Sequence, residues 1–235
     1  MEKSVFRFKQ FSVAQGKCAM KVNTDGVLLG AWADVGNTKT ILDIGTGTGV
    51  IALMMAQKNS TANIHAIDID TDAYLQAKEN FDHSAWADRL TAFHSALQQF
   101  DAGLKYDVII SNPPYFVDDM KTGNDKKNIA KHSVALTYND LLEKISGMLT
   151  DAGNAFVVVP VFNFSIIATI AHANNLFITR CTEVIAVEER QPYLALIQLT
   201  RNETAMSKSN ITIQDQRGDF TDDYKLLTKE FYLKF

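Results

Sequence analysis

The chain has 235 residues, of which 46% are apolar, so it is long and apolar enough for one large domain with a substantial core. Its formal net charge of −4 argues against broad, charge-driven binding of nucleic acid, but net charge averages over surfaces and leaves a local basic patch open. No stretch approaches the ~20 apolar residues of a membrane span, and the first residues, MEKSVFRFKQ, lack the apolar core of a signal peptide. These features predict a cytoplasmic protein that does not enter the membrane.

The residue types used for metal binding and redox chemistry form no recognisable motif. Cys18 and Cys181 are the only cysteines and form no CxxC pair, which is typical of a reduced cytosolic protein. The five histidines form no HExxH motif and do not cluster with cysteine. We therefore expect no bound metal.

The first predicted element is a β-hairpin. Residues 6–22, FRFKQFSVAQGKCAMKV, alternate apolar and polar side chains around Gly16, a pattern typical of two short strands joined by a turn. We therefore treat residues 1–22 as an addition in front of the main domain.

Strand-like and helix-like segments then alternate through the middle of the chain. The predicted strands cover 38–45, 62–68, 89–94, 106–111 and 154–160, and the predicted helices cover 49–57, 70–81, 137–153 and 163–175. This alternation predicts a parallel sheet with helices on both faces.

The end of the chain departs from the alternation. The strand-like runs 176–187 and 193–200 are separated only by EERQP, which is too short for a crossover helix, so we expect them to pair antiparallel. Residues 201–235 begin with a polar linker and end in an aromatic-rich stretch, which we expect to dock on the domain. The main domain is therefore predicted to cover 23–200.

Three alternate glycines, Gly45, Gly47 and Gly49, follow the first strand of the alternation, in LDIGTGTGVIAL. Glycine lets the backbone turn tightly and approach a ligand closely, and the helix beginning near Gly49 points free N–H groups at the same place. A dinucleotide fingerprint needs a glycine in place of Val50, and a phosphate P-loop needs a Gly-Lys-Ser/Thr that is absent. The loop is therefore predicted to serve neither phosphate ligand, a generic tight turn being the alternative.

One acid ends the second strand, a second acid follows it, and a third precedes the glycine loop. Asp68 ends the strand and can accept two hydrogen bonds from ribose hydroxyls. Asp70 competes for that role, but its place before the next helix is typical of an N-cap, so we assign the ribose to Asp68. Asp43 lies directly before the loop.

The segment DIGTGTG, which begins at Asp43, resembles motif I of class I S-adenosylmethionine-dependent methyltransferases. The resemblance implies that the loop cradles the methionine part of S-adenosylmethionine and that Ser95 contacts its adenine ring. It also implies an α/β, Rossmann-like fold, a seven-stranded, mostly parallel sheet with one antiparallel strand and helices on both faces. Residues 20–32 resemble motif X of amino-methyltransferases, which implies that Thr24 and Asp25 lie near the carboxylate and amine of the cofactor, a turn and helix cap being the alternative.

Residues 112–115, NPPY, follow the fourth strand and match motif IV of methyltransferases that act on planar amino groups. An exocyclic amine on adenine is a poor nucleophile, because its lone pair is shared with the ring. The Asn112 side-chain oxygen and the Pro113 carbonyl can accept the two amine hydrogens as positive charge develops, while Pro113 and Pro114 hold these acceptors rigid. Tyr115 offers a face on which a splayed base stacks, and Asn112 is also placed among the cofactor-binding residues. A strand merely ended by prolines is the alternative.

The NPPY group contains DNA and RNA adenine methyltransferases and protein glutamine methyltransferases, since the glutamine side chain is also a planar amide. In the order seen in the bacterial tRNA1(Val) adenine-37 N6-methyltransferase family, the chain carries CAMKVNTDGVLLGAW, DIGTGTGVIAL, NPPYF, KHSVALTYNDLL and EERQPYLALIQL. This resemblance, which covers nearly the whole chain, implies methyl transfer to the N6 amine of an adenine in a tRNA anticodon loop. Glutamine methyltransferases of release factors carry a helical domain before this core, whereas only about twenty residues precede Lys21 here. A protein glutamine N5-methyltransferase and a non-catalytic nucleotide-binding module are the alternatives.

The segment after the motif is predicted to hold the tRNA. Phe116 walls one side of the base in this interpretation. Lysines grip the flanking phosphates, contacts that position RNA without reading its sequence; they are Lys126, Lys127 and Lys131, with Lys121 and His132 nearby. A solvated loop with ordinary lysines is the alternative. We expect a monomeric enzyme.

Overall fold

The computed structural model describes residues 4–114 and 136–235. The strands in these ranges are β1 (Val5–Arg7), β2 (Ser12–Ala14), β3 (Thr40–Ile44), β4 (Asn63–Asp68), β5 (Leu90–His94), β6 (Tyr106–Ser111), β7 (Leu149–Pro160), β8 (Phe177–Val187), β9 (Leu194–Thr200) and β10 (Ser207–Gln214). The helices are α1 (Thr24–Trp32), α2 (Val50–Lys58), α3 (Thr71–Asp82), α4 (Tyr138–Met148), α5 (Phe164–Ala173) and α6 (Asp222–Thr228). Short 3-10 turns cover Leu97–Gln99 and Val161–Asn163. Within the described ranges, no helix is both long and apolar enough to cross a membrane.

One sheet of eight strands forms the centre of the described structure, in the order β10-β8-β9-β7-β6-β3-β4-β5. β9 runs antiparallel to its neighbours β7 and β8, and the other pairs of this sheet are parallel. The predicted antiparallel pairing of the last two core strands is confirmed, because the short turn 188–193 cannot carry a crossover helix. The predicted seven-stranded arrangement with one reversed strand is also confirmed, and β10 adds an eighth strand beside β8.

Helices cover both faces of the sheet, so the central strands are buried on both sides. In β3, Ile41 packs into the core under α1, α2 and α3, whereas Leu42 packs into the core under α4 and α5. In β6, Ile109 and Ile110 divide between the two cores in the same way. Successive side chains of a strand point to opposite faces, and when both faces are covered the strand sequence is apolar throughout.

The parallel strands bring four distant segments to one edge of the sheet. The glycine loop follows β3, Asp68 ends β4, Ser95 follows β5 and Asn112 follows β6. The loop is fastened to the neighbouring strand, since the Gly45 N–H donates to the Ile67 carbonyl at 2.9 Å. Carboxyl ends of parallel strands meet at one edge, so residues far apart in sequence become neighbours there.

The helix predicted over 137–153 is wrong at its C-terminal end, since α4 stops at Met148. The chain enters β7 with Leu149, whose side chain is fully buried and which pairs with Tyr106. The register with β6 then shifts before pairing resumes. Gly153 lies in this irregular stretch, where a Cβ would stand 2.8 Å from Leu149 Cδ1. Gly153 therefore permits close packing within the strand and does not end the helix.

The N-terminal hairpin is present, but its turn is not at Gly16, as the alternation predicted. β1 and β2 pair antiparallel over residues 5–14, which places the turn at 8–11. Phe8 and Phe11 stack there with ring centroids 4.6 Å apart. These aromatic contacts set the turn, and the polar alternation around Gly16 does not reveal them.

The C-terminal tail meets this hairpin. Phe8 stacks on Tyr232 with ring centroids 5.9 Å apart, and the Lys9 N–H donates to the Phe231 carbonyl at 2.8 Å. α6 packs against β10 and α1, and Phe231 is buried. The hairpin thus packs on the C-terminal tail, which packs through α6 on β10 and α1, and the division into segments after residues 22 and 200 stays a prediction.

Candidate active site

A cavity of about 500 Å³ opens at the carboxyl edge of the sheet. Seven residues selected from the sequence line it, namely Gly45, Gly47, Asp68, Ser95, Asn112, Pro113 and Pro114. The rest of its lining is mostly apolar and includes Ile44, Ile67, Ile69 and Leu97. A cleft of this size with a few convergent polar groups suits a small organic ligand.

The three glycines of the loop have different roles. Gly45 and Gly47 have φ angles of 69° and 55°, and a Cβ built on Gly45 meets no heavy atom within 4 Å, while one on Gly47 meets Cys18 Sγ at 3.9 Å. The backbone therefore borders open cavity space at both positions. Gly49 is not among the lining residues; a Cβ there would stand 2.6 Å from Phe81 Cε1. Gly49 instead allows α2 and α3 to pack closely.

Asp43 is fully buried beneath the loop and does not line the cavity. Its Oδ2 accepts a 2.6 Å hydrogen bond from Thr46 Oγ1, which fastens the loop from below. Burial raises the pKa of Asp43 to about 7, with a smaller contribution from the charge of Asp68. The Asp43 carboxyl therefore changes its charge near neutral pH.

Asp68 ties the glycine loop to the end of β4. Its Oδ2 accepts the Gly47 N–H at 2.8 Å, and its Oδ1 accepts the Asp70 N–H at 2.9 Å. Each oxygen keeps a further lone pair for a hydroxyl donor, and burial raises the pKa of Asp68. Asp70 caps α3 by accepting the Ala73 N–H at 2.8 Å, which confirms the predicted N-cap.

Residues 95–98, which follow β5, form one wall of the cavity. The Ser95 N–H donates to the Asp68 carbonyl at 2.9 Å, which holds this wall against the end of β4. Leu97 and Ile69 supply the apolar surface, and Ile69 is 50% exposed. Sequence reasoning selected only the polar Ser95; the apolar residue directly after the ribose-type acid is the signal that marks this ligand face.

A second wall comes from the segment between the hairpin and α1, of which only Met20 belonged to the segment predicted to lie near the cofactor. Residues 18–20 line the cavity. The segment is held to α3, because Gln76 Oε1 accepts the Lys17 N–H at 3.0 Å and Asn80 bonds both backbone groups of Ala14 at 2.8 and 2.9 Å. Gln76 and Asn80 are polar yet buried on α3, and polar residues on an apolar helix face are the readable signal of such a contact.

The Asn112-Pro113-Pro114 segment leaves β6 and lines the cavity. Asn112 is half-buried, Pro113 is buried and Pro114 is exposed. Below them, Ser111 Oγ donates to a β3 carbonyl at 2.9 Å, which fixes the end of the strand. A Cβ built on Gly26 would stand 3.5 Å from Asn112 Nδ2, so the first turn of α1 packs directly against Asn112.

Thr24 and Asp25 start α1 and are not among the lining residues. Asn23 caps the helix by accepting the Gly26 N–H at 2.9 Å, which matches the helix-start alternative for this segment. Asp25 Oδ1 accepts a 3.1 Å hydrogen bond from the Tyr193 hydroxyl. Burial and then the charge of Asp25 raise the pKa of Tyr193, so this hydroxyl remains a donor.

The other residues selected from the sequence lie outside the described part of the chain, and they are Tyr115, Phe116, Lys126, Lys127 and Lys131. Across 4–114 and 136–235, no group of three or more His, Cys, Asp or Glu side chains is arranged to hold a metal ion.

The cavity fits a nucleoside that carries an amino-acid tail. The half-buried Asp68 carboxylate suits ribose hydroxyls, and the apolar wall of Ile69 and Leu97 suits a flat base. The open space beside Gly45 and Gly47 has room for the tail, which can there approach the backbone closely because no side chain stands in the way. S-adenosylmethionine has these three parts, so the residues present fit it.

Solved structures share this fold. A predicted O-methyltransferase from Agrobacterium tumefaciens superposes with a TM-score of 0.68, over 88% of this chain and 96% of that chain, at 15% identity. A ribosomal protein L11 methylase from Lactobacillus delbrueckii subsp. bulgaricus gives 0.58, over 81% and 84%, at 18% identity. Identities this low show the class I methyltransferase fold and nothing about the substrate.

Sequence relatives are much closer. The family model of the methyltransferase small domain matches residues 21–160. The tRNA1(Val) (adenine(37)-N6)-methyltransferase of Parabacteroides distasonis is 42% identical over 100% of both chains, and that of Dyadobacter fermentans is 43% identical over 98% of each. The chain therefore belongs to the tRNA1(Val) (adenine(37)-N6)-methyltransferase family.

Proposed function

We propose that this enzyme transfers the methyl group of S-adenosylmethionine to the N6 amine of adenine 37 in the anticodon loop of tRNA1(Val), the substrate for which its relatives are named. S-adenosylmethionine is the methyl donor of this family and supplies, when bound, an electrophilic methyl group on a sulfonium centre. One observation carries the proposal, namely that Asn112 and Pro113 line the same cavity as Asp68 and the glycine loop, whose arrangement fits that cofactor.

The cavity residues hold and orient the cofactor. Asp68 accepts hydrogen bonds from the ribose hydroxyls, while two backbone N–H donors fix the position of its carboxylate. Ser95 and the apolar wall beside it enclose the adenine ring, and the backbone at Gly45 and Gly47 borders the methionine part. Asp43 acts from beneath the loop through Thr46. Thr24, Asp25 and Gly49 were also predicted to serve cofactor binding. They do not line the cavity, so they contribute to binding from outside it.

Asn112 and Pro113 prepare the acceptor amine. The Asn112 side-chain oxygen and the Pro113 carbonyl accept its two hydrogens, which favours the pyramidal geometry that frees the nitrogen lone pair for the methyl carbon. Because the segment is held by Ser111 and by the rigid prolines, these acceptors need little reorganisation. The methylated amine loses its proton readily to water, so the residues here need no general base before transfer.

The capture of the tRNA is proposed from the sequence. Tyr115 stacks on the target base with Phe116 beside it, and Lys126, Lys127 and Lys131 contact the flanking phosphates. A base in an anticodon loop is already partly unpaired, so turning it out costs less than flipping it from a duplex. We further propose that the enzyme acts as a monomer in the cytoplasm, where tRNA is found.

Transfer of a labelled methyl group tests the proposal. The purified protein is incubated with labelled S-adenosylmethionine and a cell extract from which both RNA and protein are recovered. Label released by RNase and found in N6-methyladenosine is the expected result. Label released only by protease would indicate a protein glutamine methyltransferase, and tight cofactor binding without any transfer would indicate a non-catalytic module.

A further inference from the structure

Phe162 is displayed at the same edge of the sheet as the active site. It is 78% exposed, the highest value among the large apolar side chains of the described ranges that reach the surface. The residue belongs to the 3-10 turn Val161–Asn163, which directly follows β7. An aromatic ring held in water forgoes the free energy of burial, which a partner that covered it would recover.

The turn that carries Phe162 is held on both sides. The Val161 N–H donates to the Tyr193 carbonyl at 3.1 Å. Asn163 is 7% exposed, and its Nδ2 donates to the Tyr138 hydroxyl at 3.3 Å. With both flanking residues bonded, the Phe162 ring is presented outward from a fixed backbone.

Tyr193 connects this turn to the methyl-transfer site. Its carbonyl holds Val161, and its hydroxyl donates to Asp25 Oδ1 at 3.1 Å. Asp25 lies in the first turn of α1, next to Gly26, which packs against Asn112. A continuous set of contacts therefore runs from the amine-binding Asn112 to the backbone that presents Phe162.

Strand register places Phe162 close to the acceptor position. Ser111 of β6 pairs with Val157 of β7, so Pro160, three residues further on, lies about 10 Å beyond Ser111 along the strand direction. The Asn112-Pro113-Pro114 segment leaves β6 over the same interval. Phe162, two residues after Pro160, thus leaves the same edge of the sheet as this segment, from the neighbouring strand, and is not among the residues that line the cofactor cavity.

We propose that Phe162 stacks on a nucleobase that flanks the target adenine and so positions the anticodon loop over Asn112. This inference rests on the proposed function. Bases of single-stranded RNA loops splay out and stack on aromatic side chains. The nearby turn carries Glu188, Glu189 and Arg190, a net charge of −1 that gives phosphate no attraction. An uncharged base face is therefore the part of the RNA that suits this position.

The test compares Phe162→Ala with Phe162→Tyr on a tRNA1(Val) anticodon stem-loop. Three substrates are used, one intact and two with an abasic nucleotide on either side of the target adenine. Leu226→Ala is the matched control, because Leu226 is 63% exposed on α6, away from the cavity lining. The readouts are kcat/KM for the RNA and the dissociation constant for S-adenosylmethionine.

Phe162→Ala is expected to lower kcat/KM for the intact substrate about tenfold or more, the value of one base–aromatic stack. Phe162→Tyr keeps the activity, Leu226→Ala has no effect, and cofactor affinity is unchanged in all three variants. The abasic substrate that lacks the stacking base lowers kcat/KM of the wild-type enzyme to a similar extent. The same substrate lowers kcat/KM of Phe162→Ala no further, because the stack is already absent.

Two results overturn the stack, namely full activity of Phe162→Ala or a loss in Phe162→Ala that is equal on the intact substrate and on both abasic substrates. The second result would assign Phe162 to a contact within the protein. Failure of the wild-type enzyme to methylate the intact stem-loop and full-length tRNA1(Val) overturns the proposed function instead, so the two failures are distinguishable.

Discussion

The acceptor rim, as we call Asn112–Pro114 together with Phe162, lies on the same edge of the sheet as the glycine loop and Asp68 of the cofactor cavity, but the side chains of the two regions are held in different ways. In the cavity, Asp68 and the glycine loop are bonded to each other and to strand ends through backbone N–H groups. On the rim, Pro114 and Phe162 are exposed, and the hydrogen bonds nearby hold the strand end at Ser111 and the backbone at Val161.

This difference predicts how substitutions divide. A change in the cavity alters the backbone frame as well as a ligand contact, so it affects cofactor affinity and stability together. A change on the rim removes a contact with the RNA or its amine, so it affects transfer without disturbing the cofactor. The predictions below separate these two groups.

The largest effect is expected at Asn112. Asn112→Ala removes an acceptor placed where positive charge develops, and such groups are worth ~10²–10³ in rate. Single-turnover transfer on saturating tRNA should fall by that factor, while calorimetry finds cofactor affinity near the wild-type value. Asn210→Ala, an exposed position on β10, is the control. An unchanged transfer rate would mean that Asn112 is not the acceptor of the amine.

The next effect concerns pH. Because burial raises the pKa of Asp43 from 3.8 to about 7, the unfolded chain ionises this carboxyl near pH 4 while the folded protein keeps it neutral until about pH 7. The contribution of Asp43 to the free energy of unfolding is therefore fully present below about pH 4. It falls by at most about 4 kcal/mol as the pH rises to 7. Asp43→Asn cannot ionise and should flatten this decline. Urea unfolding of the cofactor-free protein between pH 4 and pH 8 measures it, and equal slopes would show that Asp43 is already ionised in the folded state.

Substitution of Gly47 distinguishes two effects of an added methyl group, the filling of ligand space and the strain of a positive φ angle. Gly47 and Gly36 both have positive φ angles, 55° and 40°, so alanine at either position should cost roughly 1–2 kcal/mol of stability. Only the Gly47 methyl group enters the cavity, where it should weaken S-adenosylmethionine binding about tenfold or more. Titration calorimetry and thermal unfolding of both variants provide the comparison. An equal loss of affinity in Gly36→Ala would trace the effect to strain alone.

A smaller effect separates the two neighbouring acids. Asp68→Ala should weaken S-adenosylmethionine binding by about 0.5–1.5 kcal/mol for each ribose hydrogen bond lost. Asp70→Ala removes the cap of α3 and should lower stability by about 0.5–2 kcal/mol with a smaller change in affinity. Unchanged affinity in a folded Asp68→Ala protein would exclude the ribose role.

Lys126 and Lys127 test the proposed contacts between the protein and the tRNA phosphates. Removing Lys126 and Lys127 together should flatten the salt dependence of tRNA binding by about one to two units of slope, because phosphate contacts release counterions. The methylated adenine should not change, since such contacts carry no base information. Binding over a salt series with nucleoside mapping measures both. If the double variant kept the wild-type salt dependence of tRNA binding, the phosphates would be bound by another part of the protein.

Features governed by local pattern were predictable from sequence. The β-α alternation, the short turn that reverses β9 and the Asp70 cap all depend on residues that are neighbours in the chain. The glycine loop and Asn112 could be placed in one site because parallel strands bring their ends to one edge. The number of strands was harder, since β10 forms from a segment that read as linker and tail.

Features governed by distant contacts were not predictable. At the hairpin turn, Phe8 stacks on Tyr232 at the other end of the chain as well as on Phe11. The cavity wall at 18–20 depends on Gln76 and Asn80, whose polar side chains are buried only because the segment lies on them. The polar residues on the buried face of α3 indicate that some partner covers them, but no local pattern specifies which segment that partner is.

Nucleoside mapping of a single purified tRNA tests the central claim most directly. Unmodified tRNA1(Val) and a variant with guanine at position 37, the position named for the relatives, are incubated with the enzyme and S-adenosylmethionine, digested and analysed by mass spectrometry. We predict one N6-methyladenosine, located at position 37, and none in the guanine variant. Methylation at another position, equal methylation of both tRNAs, or no methylation by an enzyme that binds the cofactor would contradict the proposed function.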